Sequence, residues 1–310
     1  MNFYLLDFPV RLKCFRVMKS KLIIFIAFIA LQFTCLGCGD SLKPDSLGKY
    51  LPESSETNSD EGKLTEISFD EYSIIFGFSD TNGRDILAIS DTLPDPKLYT
   101  KAISAEGKLI PVSFIQQRKA VEGKDAQQTY NNFSNCGGYL FRCSNGNVNY
   151  KNVAVLMTEK FLSERKLITN ILPETKKLDA NALNKIESIK QRKIKNSFPL
   201  VKVDGYGSLY LVNFVVVNDT AMFSLVLMKG NRLLFKDNIA DYDPAGTWRV
   251  GDAGLVKPNA FQVLAAFTSK YGIEFALNWI GAEGDYIEYL IENGNTLQAG
   301  KNEYRYTAAF

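Results

Sequence analysis

The side chains of this chain best suited to chemistry are carboxylates and aromatic rings, because its 310 residues include no histidine. That absence excludes imidazole acid–base catalysis, the serine and cysteine nucleophiles that depend on histidine, and zinc sites with histidine ligands. It leaves carboxylate chemistry and oxygen-ligand metals. The richest segment is Asp241-Tyr242-Asp243-Pro244-Ala245-Gly246-Thr247-Trp248-Arg249-Val250-Gly251-Asp252. A calcium-binding loop places carboxylates at positions 1, 3, 5 and 12 and glycine at position 6. Asp241, Asp243, Gly246 and Asp252 fit that pattern, whereas Ala245 supplies no oxygen at position 5. The alternative is an ordinary Asp/Pro/Gly loop between strands.

Trp248 lies inside this acidic loop, and an exposed indole there would stack on a sugar ring. Core packing is the competing account, as it is for Trp279 on its alternating strand. Glu283 and Asp285 flank a turn. A glycosidase pair would need two carboxyls about 5–9.5 Å apart across a cleft. No glycine-rich phosphate loop and no nucleophile elbow is present, so no cofactor and no metal is expected. Cys136 and Cys143 flank Gly137-Gly138-Tyr139-Leu140-Phe141-Arg142, and the two glycines could let the segment fold back into a disulfide.

The elements that must carry these residues read as β structure. From Leu64 on, short apolar runs are broken by Asn82-Gly83, Glu106-Gly107, Asn145-Gly146, Gly230-Asn231 and Gly294-Asn295. Asn and Gly tolerate the positive φ of tight turns, so each dipeptide predicts an antiparallel hairpin. Leu209 to Val217 is apolar on both faces and predicts a central strand. Ile273 to Trp279 alternates and predicts a half-buried one. Met222–Gly230 and Tyr286–Gly294 share a spacing that hints at duplication, although chance would explain two similar hairpins nearly as well. One helix is expected: Asp179 caps it, and Leu178, Ala182, Leu183, Ile186, Ile189 and Ile194 recur on one face. Its lysines (Lys176, Lys177, Lys185, Lys190, Lys193, Lys195) and Arg192 would meet anionic lipid headgroups or simply face solvent. The expected fold is mainly β (α+β): antiparallel sheets built from hairpins with one intervening helix. A first β-rich half covers 64–157, a helical connection 158–198, and a second β-rich half 199–310.

The front of the chain is different. Met18-Lys19-Ser20-Lys21 is basic, and an uncharged run of about ten residues, Leu22 to Leu31, follows. That run is too short for a membrane span, which needs roughly 20 apolar residues. Cys35-Leu36-Gly37-Cys38 comes next and resembles the lipobox of bacterial lipoproteins, with Gly37 before the cut and Cys38 as the lipidated residue. Cys35 and Leu36 depart from the usual residues of that motif. The resemblance implies a signal peptide over 18–37, a membrane anchor of acyl chains on Cys38, and a cell-envelope location. Gly39 in place of the inner-membrane retention signal Asp points to the outer membrane. Residues 1–17 fit no part of this and read as an extension ahead of the true start at Met18. Residues 38–63 are rich in Ser, Pro, Glu and Asp and read as a disordered tether that reaches roughly 25–30 Å.

Lys plus Arg total 36 against 34 Asp plus Glu, so no basic excess points to nucleic acid. The function that follows is a lipid-anchored, non-catalytic binding or structural module for an envelope glycan, lipid or protein. The alternative is a carboxylate-dependent hydrolase acting on envelope polysaccharide. Tyr304, Tyr306 and Phe310 have the spacing of a terminal strand in an outer-membrane barrel, but the short hairpin strands fit a soluble domain.

Overall fold

The computed structural model describes residues 64–308, so the signal segment, Cys38 and the tether lie outside the described residues. The fold is mainly β and mostly antiparallel, as the turn spacing predicts. Six strands form a small barrel: β1 (Ile74–Ser79), β2 (Asp85–Ala88), β3 (Tyr99–Ile103), β4 (Leu109–Arg118), β5 (Gly138–Cys143) and β6 (Ala154–Thr158). They close in the order β1-β2-β5-β4-β3-β6. Strand alternation sends Ile75, Ile86, Phe141 and Leu156 inward, while Ile74, Phe76, Phe78 and Met157 face out and are buried as well.

Asn82-Gly83 turns β1 into β2. Gly83 has φ +68°, and a Cβ there would lie 2.1 Å from the Val148 carbonyl oxygen, so only glycine fits. Glu106-Gly107 turns β3 into β4. Asn145-Gly146 does not make the expected hairpin. β5 pairs with β2 and β4, and β6 pairs with β1 and β3, so the turn begins a crossover that closes the barrel.

A short helix α1 (Glu159–Ser163) leads to two three-residue strands, β7 (Lys166–Ile168) and β8 (Ile171–Pro173), and then to α2 (Ala180–Lys190). Two four-stranded meanders follow. The first is β9 (Ile194–Val203), β10 (Gly207–Phe214), β11 (Thr220–Lys229) and β12 (Arg232–Asp241). The second is β13 (Phe261–Ser269), β14 (Gly272–Ile280), β15 (Gly284–Asn293) and β16 (Thr296–Tyr306). The ten strands form one sheet in the order β7-β13-β14-β15-β16-β12-β11-β10-β9-β8. The edge strands β7 and β8 are joined by Thr169-Asn170 alone, so the sheet has to curl until its edges are neighbours. Its inner face then packs on itself through Leu209, Leu211, Phe223, Leu225, Phe275, Leu277 and Leu290. The two meanders meet where β12 runs parallel to β16, at the single bridge Phe235–Thr296.

Turns Gly230-Asn231 and Gly294-Asn295 occupy matching places in the two meanders, as the shared spacing suggests. The core positions do not match. Leu225 faces the interior, whereas Tyr289, at the equivalent point of β15, faces outward. Strand order reverses from one meander to the other while β12 and β16 stay parallel, and in a continuous sheet that relation exchanges the faces. Each meander therefore has its own outer cover. Ile186 of α2, with Leu178, packs on Tyr210, Val226 and Phe235 of the first. The small barrel packs Phe76 and Met157 with Phe267, Ile287 and Ile291 of the second.

Asp179 caps α2 by accepting the Ala182 N–H at 2.8 Å. The helix ends sooner than its apolar period suggests. Gln191 turns left-handed at φ 50°, and Ile194 opens β9 instead of completing the helical face. β10 is buried on both faces, as expected of a central strand, but it ends at Phe214, and Val215 and Val217 beyond it are exposed. β14 departs from the half-buried expectation: its polar alternates Glu274 and Asn278 are buried beneath the small barrel.

Candidate functional site

The segment from Tyr242 to Lys257 connects the meanders and crosses one end of the curled sheet. It is held inward at Val256, whose N–H donates to Asn213 Oδ1 and whose carbonyl accepts from Asn213 Nδ2, at 2.9 and 2.8 Å. Asp252 organises the rest. One carboxylate oxygen accepts the N–H groups of Thr247 and Gly254, and the other accepts those of Trp248 and Arg249. Asp243 accepts the Ala245 N–H at 2.8 Å. Asp241 is the last residue of β12, opposite Thr220. The Asp243 and Asp252 carboxylates are turned onto the loop's own amides. Among the described residues no group of three or more acidic or cysteine side chains is placed to hold a metal ion. Of the two readings of this segment, the hydrogen bonds describe an ordinary connecting loop capped by Asp252.

What this loop does build is a cavity. Trp248 comes down against Trp279 of β14, with ring centroids 5.9 Å apart. Phe223 lies edge-on to both indoles, and Phe261 stacks on Trp279 at 5.8 Å. Trp248 is oriented by its own N–H, which donates to the Gly254 carbonyl at 3.2 Å. Between the loop and the strand lies a cavity of about 320 Å³, walled by both tryptophans and by Arg249, Lys257 and Asn259. The Trp279 indole N–H is buried and has no hydrogen-bond partner among the described residues. An unmet buried donor costs about 1–3 kcal/mol. The chain has two tryptophans, and both line this space. Sequence reasoning singled out Trp248 but left Trp279 to the core. Only strand register and loop closure bring the two together.

The expected disulfide does not form: Cys136 and Cys143 are separate buried thiols. β5 runs extended between them, and at about 3.3 Å per residue it spans some 17 Å, against the roughly 4.4–6.8 Å that a disulfide allows between Cα atoms. They also face opposite sides of the barrel wall, Cys143 inside and Cys136 outside. Burial pushes the Cys143 thiol up to about 11, helped by the nearby Asp85 and Asp80 carboxylates. It raises Cys136 too, against the opposing pull of Arg118.

The other charged candidates are structural. Asp285 is buried, accepting from Arg305 and from Asn278 Nδ2, while Glu283 sits in the turn before β15. Glu274 is fully buried where the small barrel meets the sheet. It accepts from Arg165 at 2.7 Å and from the hydroxyls of Tyr289 and Ser269. The Arg165 guanidinium lies over Phe161 at 4.7 Å. On the basic helix, Lys190 pairs with Asp237 at 2.6 Å and Lys185 donates to the Asn231 carbonyl. No family model matches the chain, and neither a curated protein nor a solved structure matches it.

Proposed function

We propose that the folded part of this protein is a non-catalytic glycan-binding module, carried on a lipid anchor at Cys38 in a bacterial cell envelope, at the outer membrane. The observation that supports a glycan is the cavity walled by Trp248 and Trp279 with polar side chains beside them. Aromatic faces take up the apolar faces of sugar rings, and the polar groups around them meet hydroxyls. A cavity of about 320 Å³ lies at the small end of ligand sites, which run roughly 300–1,000 Å³. It suits one sugar ring better than an acyl chain. Arg249 and Lys257 in the wall would favour a ring bearing a carboxylate or another anionic group.

The test follows from having both tryptophans in one place. Titrating the detergent-solubilised protein with neutral, N-acetylated and acidic oligosaccharides should give a saturable change in tryptophan emission. Trp248→Ala should weaken binding about tenfold, since it removes one aromatic wall of the cavity. No saturable change with any of the three classes would sink the reading.

A further inference from the structure

Residues directly opposite each other in an antiparallel pair point to the same face. The register places Phe261 opposite Trp279, Trp279 opposite Tyr286, and Tyr286 opposite Tyr304. Four consecutive strands therefore carry one aromatic row on the inner face, its members about 4.8 Å apart along the sheet. The row begins at the cavity and climbs into solvent: Tyr286 is 38% exposed and Tyr304 is 50% exposed.

The row ends at a seam. β16 is bridged to β12 at Thr296, far along the strand from Tyr304, so β12 is not hydrogen-bonded beside the tyrosine. Tyr304 is held against the backbone of Gly284, where a Cβ would lie 2.7 Å from the ring's Cζ. Next to the tyrosines on this face are hydrogen-bonding groups. Asn302 is exposed opposite Glu288, and Glu288 pairs with Lys236 at 3.2 Å.

We infer that this row continues the cavity, and that together they form a track for an unbranched oligosaccharide of at least three rings. One end of the chain sits in the cavity that Trp248 and Trp279 wall. The following rings lie on Tyr286 and Tyr304, with Asn302 and Lys236 beside them to meet hydroxyls or acidic groups. The aromatic spacing favours a linear polymer over a peptide or an acyl chain, because it repeats one flat apolar contact beside polar groups. The inference rests on the glycan reading of the cavity.

The test is chain length. Affinities of the full-length protein in detergent are measured for one to five rings of β-1,4-glucan, of β-1,4-linked N-acetylglucosamine and of a uronate oligomer. In the series that binds, affinity should rise through the third ring and then level off. Tyr286→Ala and Tyr304→Ala should each remove roughly tenfold of that gain and leave single-ring binding unchanged. Tyr304→Phe should keep it, which separates stacking from misfolding. Single-ring binding with no gain from length overturns the track and leaves the cavity reading standing. No binding by any series overturns both.

Discussion

Trp248 and Trp279 face one cavity from elements of unequal rigidity, one on a loop whose backbone around the indole is capped by Asp252 and the other on a paired strand in the middle of the sheet. Such a site has one fixed wall and one wall that depends on Asp252. Asp252→Ala takes away the acceptor of four loop amides. Hydrogen bonds to a charged group are worth about 1.5–3 kcal/mol each when buried, and these are partly exposed. A loss of about 2 kcal/mol in local loop stability is expected. Tryptophan emission should move to the red and amide exchange over 243–256 should quicken, while the unfolding midpoint changes little. Emission identical to the parent's would show that the loop closes without Asp252.

The Arg165–Glu274 pair predicts an asymmetry between single and combined variants. Glu274 is fully buried, so Arg165→Met leaves a carboxylate without its counter-charge. That costs roughly 3–5 kcal/mol. Replacing the partners together with the hydroxyl that Glu274 accepts, as Arg165→Met with Glu274→Leu and Tyr289→Phe, should restore most of the loss. Urea unfolding of the two variants is the measurement. A combined variant as weak as the single one would mean that the ion pair itself holds the barrel to the sheet.

The thiols predict both chemistry and pH dependence. Non-reducing mass analysis of the folded domain should find Cys136 and Cys143 as free thiols, unreactive until denaturant is added. The fold favours the protonated Cys143, whose pKa is raised to about 11. Its contribution is complete below the unfolded thiol value, near 8.5–9, and is lost as pH rises through about 11. Stability should fall by roughly 2 kcal/mol across that window, and Cys143→Ala should flatten the fall. Tyr289, raised by burial and then by Glu274, keeps its own alkaline loss at higher pH. A mass lower by two hydrogens would restore the disulfide.

The anchor is tested directly with palmitate labelling in a bacterial host. The parent chain should take up label and Cys38→Ser should not. Label retained in the variant would falsify lipidation at Cys38. Peptides from residues 1–17 should be missing from the native protein if translation starts at Met18.

Local features were the legible ones. Asn82-Gly83, Gly230-Asn231 and Gly294-Asn295 turn the chain where their conformational freedom predicts, because a hairpin is settled by its own few residues. Asn145-Gly146 misled because it has the same local chemistry in front of a crossover. Asp179 marked the start of α2, yet nothing nearby announced the left-handed Gln191 that ends it. Long-range facts were not legible. Glu274 and Asn278 read as solvent-facing, and it is the small barrel that buries them. The acidic loop was found by composition, and Ala245 already argued against a metal cage, but nothing in the sequence announced that Asp252 caps four amides. Trp279, Tyr286 and Tyr304 form a row only through register, which a sequence without its pairings does not display.

The exchange of faces between the meanders has a consequence for the order of folding. The wall of the small barrel that carries Ile74, Phe76 and Met157 is finished by Phe267, Ile287 and Ile291, from the far end of the folded region. Until β13 and β15 are in place that wall lacks this cover, and α2 does not supply it because it packs on the first meander. A partly folded chain therefore carries an adhesive surface, the condition under which such intermediates aggregate. The contacts that remove it join the two ends of the folded region, so closure is slow. Keeping copies of the folding chain apart during that interval is a requirement written into the topology.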